Sequence, residues 1–282
     1  MEDLTSGSGR NYYYQNNNEP KKEKKLIEVS SLRQLFVFLF GWLGIRVIAY
    51  LASFVISLFI KVPDKNVDLE AYTRIVNKLD PILEFSIYLL ALVGVFAIVG
   101  IPALKRIFKD FKNGDKIVKG FIYGGILLGA TIVYNMFIST FYPIKDNANE
   151  EAVNNVIINS PILSFFFVTL FAPIVEEFTY RLGLFGLCAK KNKYLGFILS
   201  SLIFGLIHSP FLSGAFLNMT HEELIIELLN LPAYMISGLI LCLAYYNEES
   251  LVTSMTAHFT NNFVAFIMTF AASGAVQNVR IF

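Results

Sequence analysis

Apolar residues run through this chain in long blocks, not in the alternation of a half-buried strand or the narrow stripe of a surface helix. Seven blocks approach or exceed the roughly 20 residues that a helix needs to cross a bilayer. They are 34–60, 83–104, 119–141, 161–189, 194–213, 224–246 and 251–272. A helix is the expectation for each, because hydrocarbon offers backbone N–H and C=O groups no partner and the segment must satisfy them itself. Pro232 is a candidate break in the sixth block. Stretches 64–82 and 211–230 each have room for a short interfacial helix, and a split block would make eight spans. The pattern predicts an all-α, polytopic transmembrane bundle of seven to eight spans over 32–282, behind a polar head at 1–31.

Composition agrees with the pattern. Of 282 residues, 55% are hydrophobic and only 16% charged, and the mean hydropathy is +0.56. A soluble domain of this length needs more charge to cover its surface. The net charge of +1 says nothing for or against nucleic acid. No basic module or aromatic platform is visible, so the expected surroundings are a lipid bilayer and no nucleic acid. The head "MEDLTSGSGRNYYYQNNNEPKKEKK" is rich in Asn, Lys and Tyr and is expected to be a disordered, basic, cytoplasmic segment. No cleavable signal peptide is expected, since the first apolar block follows more than thirty polar residues. With the N-terminus in the cytoplasm, the inside loops hold 15 Lys or Arg and the outside loops 6. That bias predicts a multi-pass cell-membrane protein with a cytoplasmic N-terminus. Cys188 and Cys242 lie in apolar blocks outside any CxxC pair and read as free thiols. No internal repeat of the kind found in many transporters is visible.

Against this background the buried charges stand out. Glu176, Glu177 and Arg181 are the only charged residues between Pro161 and Ala189. His208 lies on the fifth block, and His258 and Asn262 on the seventh. Ionisable groups in a span are costly and usually face a bundle interior or a hydrated cavity. Glu177 and Arg181 are four apart and can pair on one helix face. Glu176 is rotated by about 100° and can point elsewhere. In a cavity it would be a usable general base, because burial and a like charge both disfavour its ionised form. His258 and Asn262, also four apart, can aim at one point and donate to a developing oxyanion. Phe204, one turn before His208, can fix the imidazole and exclude water. Polar residues that only glue helices together are the rival reading of the whole set. Arg46 has no motif around it, and a structural or lipid-facing role suits it as well as a functional one. His221, beside Glu222 and Glu223, reads as a solvated loop histidine.

"EEFTYR", "FGLIH" and "HFTNN" fit the patterns EExxxR, FxxxH and HxxxN, in that order on separate apolar blocks. This resembles the CPBP family of intramembrane proteases, also called the Abi or CAAX-protease family, and the matching region runs from about 161 to 270. The family includes the type II CAAX prenyl endopeptidase and bacterial members associated with bacteriocin self-immunity and pheromone processing. The resemblance implies a membrane-embedded endopeptidase with no covalent intermediate. Glu176 with His208 would activate water, His258 and Asn262 would hold the oxyanion, and Glu177 and Arg181 would support. The family is usually drawn with eight helices, against seven blocks here. The expected partners are a peptide or membrane-protein substrate, with other membrane proteins as further candidates. No cofactor is expected. A zinc enzyme using Glu176, His208 and His258 is one rival, although the chain has no HExxH. A scaffold without chemistry is another, and a transporter is a third.

Overall fold

A computed structural model describes residues 25–274 except Ile144. The predicted head lies outside the described residues over 1–24. Nine helices and no strand occur among the described residues. Five are long and apolar enough to cross a bilayer: α1 (Ser31–Phe59), α2 (Leu69–Val99), α4 (Gly114–Ser139), α6 (Pro161–Ala189) and α8 (His221–Glu248). The others are α3 (Ile101–Phe111), α5 (Ala148–Asn159), α7 (Lys193–Ile207) and α9 (Leu251–Ala272). The all-α membrane bundle read from the pattern is what the chain forms.

The details differ in instructive ways. The fifth block gives α7, whose 15 residues rise only about 22 Å, short of a bilayer core. The seventh gives α9, which is long enough but diluted by its Ser, Thr, His and Asn residues. Pro232 does not break α8, and Pro81 does not break α2. In the turn that Pro232 loosens, the Tyr134 hydroxyl donates to the Leu229 carbonyl (2.7 Å). Stretch 64–82 forms no helix of its own, and 211–230 holds only a single short 3-10 helix, Ala215–Asn218, as a separate element. Residues from Leu69 join α2, and His221 opens α8 instead of sitting in a loop. Thr220 caps α8 in a capping box with Glu223. The short helices fall elsewhere. α3 buries Ala103 and Ile107 beneath its cationic side, and α5 starts on a second capping box, Asn147 with Glu150.

One helix is central. In the most apolar stretch of α6, 56% of residues are buried, against 11% to 22% in the other four spans. The outer helices turn Tyr50, Phe59, Val133 and Met136 outward. That large exposed apolar surface suits lipid and not water. Small residues let α6 be approached closely. Gly41 of α1 lies where a Cβ would come within 1.8 Å of Thr179 Oγ1. Gly183 of α6 lies where a Cβ would come within 3.0 Å of the Phe38 amide nitrogen. Gln34 of α1 donates to the Leu182 carbonyl (3.1 Å). α6 widens into π-helical turns over Phe167–Phe171 and Glu177–Phe185, a local geometry found often at functional sites.

Candidate active site

Glu177 opens the long π-helical stretch of α6, and both it and Arg181 are fully buried. Its Oε2 lies 3.1 Å from Arg181 Nε. Ser254 Oγ donates to the same oxygen. Its Oε1 accepts from His258 Nδ1 at 2.9 Å. A buried carboxylate persists only when its charge is met in this way. The expected Glu177–Arg181 pair is present, and Glu177 also orients the α9 histidine. The Arg181 guanidinium lies 4.5 Å from the centre of the Phe204 ring, a favourable cation–π placement where water is excluded.

Glu176 points differently, as its rotation on the helix predicts. Its Oε2 lies 3.7 Å from His258 Nε2 and 3.8 Å from His208 Nε2. That oxygen is buried and has no hydrogen-bond partner among the described residues. Both distances exceed a direct hydrogen bond. The two imidazoles come from different elements. His208 is the residue that ends α7, and its Nδ1 lies 2.8 Å from the Phe204 carbonyl. A carbonyl only accepts, so Nδ1 carries a proton, and in the neutral ring the lone pair of Nε2 is the one turned toward Glu176. The His208 ring stacks on Tyr234 of α8 with centroids 4.8 Å apart. The Tyr234 hydroxyl is held by Asn147 and Asn149 side chains, each at 3.2 Å. Phe204 sits between the groups, 4.7 Å from the His208 ring and 5.7 Å from the His258 ring.

The site therefore gathers Glu176, His208 and His258, with Glu177, Arg181 and Phe204 packed behind them. Asn262 is placed differently from the common aim expected of it with His258. Its Nδ2 donates to the Val168 carbonyl in the first widened turn of α6 (3.0 Å). Ser254 and Tyr234 were not anticipated. Ser254 is four residues before His258 and shares its face, a spacing that could have revealed it. Tyr234 carries no sequence signal, because only the packing of α8 on α7 brings it to His208. For a metal, Glu176, His208 and His258 would be the donors through Oε2 and the two Nε2 atoms. Among the described residues, no group of three or more His, Cys, Asp or Glu has an arrangement that could hold a metal ion.

Fold and site together define a class: a multi-pass membrane helix bundle with a buried carboxylate–imidazole centre. Residues 158–264 match the family model described as Type II CAAX prenyl endopeptidase Rce1-like. The match contains all three motifs, so the resemblance read from them holds for this region. The chain is also 28% identical over 167 residues to the UPF0177 protein YvdC of Lactococcus lactis subsp. lactis. That alignment covers 58% of this chain and 63% of the relative, so the chain spans less than two thirds of that protein's length. No solved structure matches.

Proposed function

We propose that this protein is an intramembrane endopeptidase that hydrolyses a peptide bond in a peptide or membrane-protein substrate. Glu176 acts as general base on a water held between its Oε2 and the Nε2 of His208. Neutral His208 accepts a hydrogen bond at Nε2 and aligns the water, or shares its proton. Water attacks the scissile carbonyl directly, and Glu176 returns the proton to the departing amine. In this scheme His258 carries a proton on each ring nitrogen throughout the step: Nδ1–H is bound by Glu177, and Nε2–H donates to the negative oxygen as it forms. Asn262 is the second oxyanion group in this scheme, reached once its amide leaves the Val168 carbonyl. The observation that carries the reading is the convergence of two imidazole Nε2 atoms on one unpartnered carboxylate oxygen inside a membrane bundle. The match to an endopeptidase family supports the reaction class. The N-terminus is assigned to the cytoplasm, supported by the cations gathered at the end of the bundle from which α1 starts.

The test compares peptides released by cells carrying the wild type, Glu176→Gln or Glu176→Ala. Both variants should fold and insert, with melting temperatures in detergent near that of wild type. Peptides that depend on the protein should fall at least about 100-fold, the scale of a lost general base. Wild-type peptide levels with Glu176→Gln would remove Glu176 from that role. A biological function that survives Glu176→Ala would favour a scaffold. Cleavage by purified protein should persist in EDTA, and a loss that zinc restores would reassign Glu176, His208 and His258 as metal ligands.

A further inference from the structure

His208 stands where α7 stops. The helix ends at Ile207, and Ser209 and Pro210 lead the chain away. No further helical turn holds the histidine in place. Rotation about its Cβ–Cγ bond is also soft, because torsions onto a flat ring have broad minima. Half a turn about that bond exchanges Nε2 with Cε1 and takes the lone pair away from Glu176. The Phe204 carbonyl restrains the ring through Nδ1, and α8 supplies a second restraint. Its register on α7 comes from small residues. A Cβ on Gly205 would come within 2.6 Å of Met235, and one on Gly238 within 3.0 Å of the Ser201 Cα. These two antiparallel contacts carry Tyr234 to His208, with the rings 13° from parallel and their centroids 4.8 Å apart.

Tyr234 is itself fixed at both ends. One end is the α8 backbone. At the other, the hydroxyl accepts from Asn147 Nδ2 and Asn149 Nδ2, each at 3.2 Å, and donates to Asn147 Oδ1 at 3.4 Å. Asn147 is fully buried and caps α5. It is locked in turn, because its Oδ1 accepts from the amides of Asn149 and Glu150. Glu227 of α8 accepts from the Ala148 amide beside it. A buried hydroxyl is satisfied by one partner. Three directed contacts to a capped helix end also fix the tilt of the ring. Tyr234 is thus a strut between α8 and the start of α5, with the imidazole laid flat on its face.

We propose that Tyr234 is a positioning residue: its anchored ring holds the His208 imidazole with Nε2 aimed at Glu176 Oε2, and so sets where the attacking water sits. This rests on the endopeptidase reading above. Tyr234 acts through His208 and takes no part in proton transfer. Its contribution falls on kcat, since misplacing a reacting group by about 1 Å costs about 100-fold in rate without changing how substrate binds.

The experiment uses the purified full chain in lipid nanodiscs. The probe is the decapeptide that wild type cuts fastest in a synthetic library, with Glu176→Gln as blank. Tyr234→Leu should lower kcat about 30- to 100-fold and leave KM within about twofold. Tyr234→Phe keeps the stack and loses the anchor, and should lower kcat about three- to tenfold. Asn149→Ala should lower kcat in the wild-type background and not in Tyr234→Phe, where the contact it breaks is already gone. Tyr134→Phe, which frees α4 from the same helix at Leu229, should lower the melting temperature and leave kcat unchanged. The ring itself is read above neutral pH by 15N spectra of histidine-labelled protein, its three histidines assigned by substitution. His208 should show one neutral form in wild type, with the proton on Nδ1, and a mixture of both forms in Tyr234→Leu. A wild-type kcat in Tyr234→Leu overturns the proposal. Should that variant not fold, unchanged kcat in Tyr234→Phe and Asn149→Ala, or losses that simply multiply in the double variant, overturns it equally. So does a matching fall in kcat from Tyr134→Phe, the result expected if Tyr234 only glues helices. No cutting by wild type above the blank removes the endopeptidase reading. The spectra then decide on the strut by themselves, and a His208 signal unchanged in every folded Tyr234 variant overturns it.

Discussion

At the residue scale, the two adjacent glutamates are distinguished by what surrounds them and not by their chemistry. Glu177 is enclosed by Arg181, His258 and Ser254, whereas Glu176 keeps an oxygen without a partner. Structural and reactive duties are thus separated by one step along a helix. The separation has a measurable consequence. Arg181→Ala leaves Glu177 buried and uncompensated and removes the cation from the face of Phe204. It should cost about 3–5 kcal/mol, as broken buried pairs do, and lower the melting temperature in detergent by many degrees. Glu176→Ala removes a group with no such partners and should change stability by about 1 kcal/mol or less. Equal melting temperatures for the two variants would contradict the assignment of Glu177 and Arg181 as the supporting pair.

At the element scale, the site depends on how closely neighbouring helices approach. α4 meets α9 through Gly120 and Gly124, one turn apart in "GFIYG". A Cβ there would come within 2.4 Å of Thr256 and 2.6 Å of Thr260. This is the small-residue packing of membrane helices, where close backbone approach replaces the missing hydrophobic drive. α9 carries His258, so displacing it should move the imidazole from Glu176. Gly120→Leu and Gly124→Leu should each destabilise by about 1–3 kcal/mol through overpacking and reduce cleavage. Gly125→Leu on the same helix meets open space and should leave both near wild type. A loss as large in Gly125→Leu, measured by thermal melting and peptide release, would contradict the contact. The depth of His258 has the same origin. α9 begins in the interior, with Ser250, Leu251, Val252 and Thr253 all fully buried. A histidine only two turns from its loop therefore still reaches a carboxylate in the middle of α6.

At the scale of the whole molecule, the two ends of the bundle differ in charge. Arg33, Arg106, Lys190 and Lys119 gather at one end, reaching the carbonyls of Val99, Leu26 and Val29 and the carboxylate of Glu248. The opposite end is tied by Glu227 accepting from the Ala148 amide (2.7 Å) and by Lys145 beside Glu222. Cationic ends stay in the cytoplasm. A single cysteine introduced as Ser6→Cys, with Cys188 and Cys242 replaced by Ala, should resist a membrane-impermeant maleimide in intact cells and react after permeabilisation. A cysteine introduced as Asn66→Cys, in the α1–α2 loop, should react in both. The reverse pattern would invert the orientation.

Much of this protein was legible from the order of its residues. Long apolar blocks cannot be satisfied in water, so class and approximate helix positions follow from composition and run length. Helix periodicity fixed that Glu177 and Arg181 share a face and that Glu176 leaves it. What periodicity cannot carry is contact between elements. The bond from Glu177 to His258 links positions 81 residues apart, and the stacking of Tyr234 on His208 depends on how α8 leans on α7. Asn262 shows the same limit: its spacing allows it to share a target with His258, yet the widened turn at Val168 holds its amide. The sequence by itself determined which groups are buried, because solvation is a property of segments. Only the tertiary structure decided which of them meet, because burial leaves each polar group in need of a partner without specifying which.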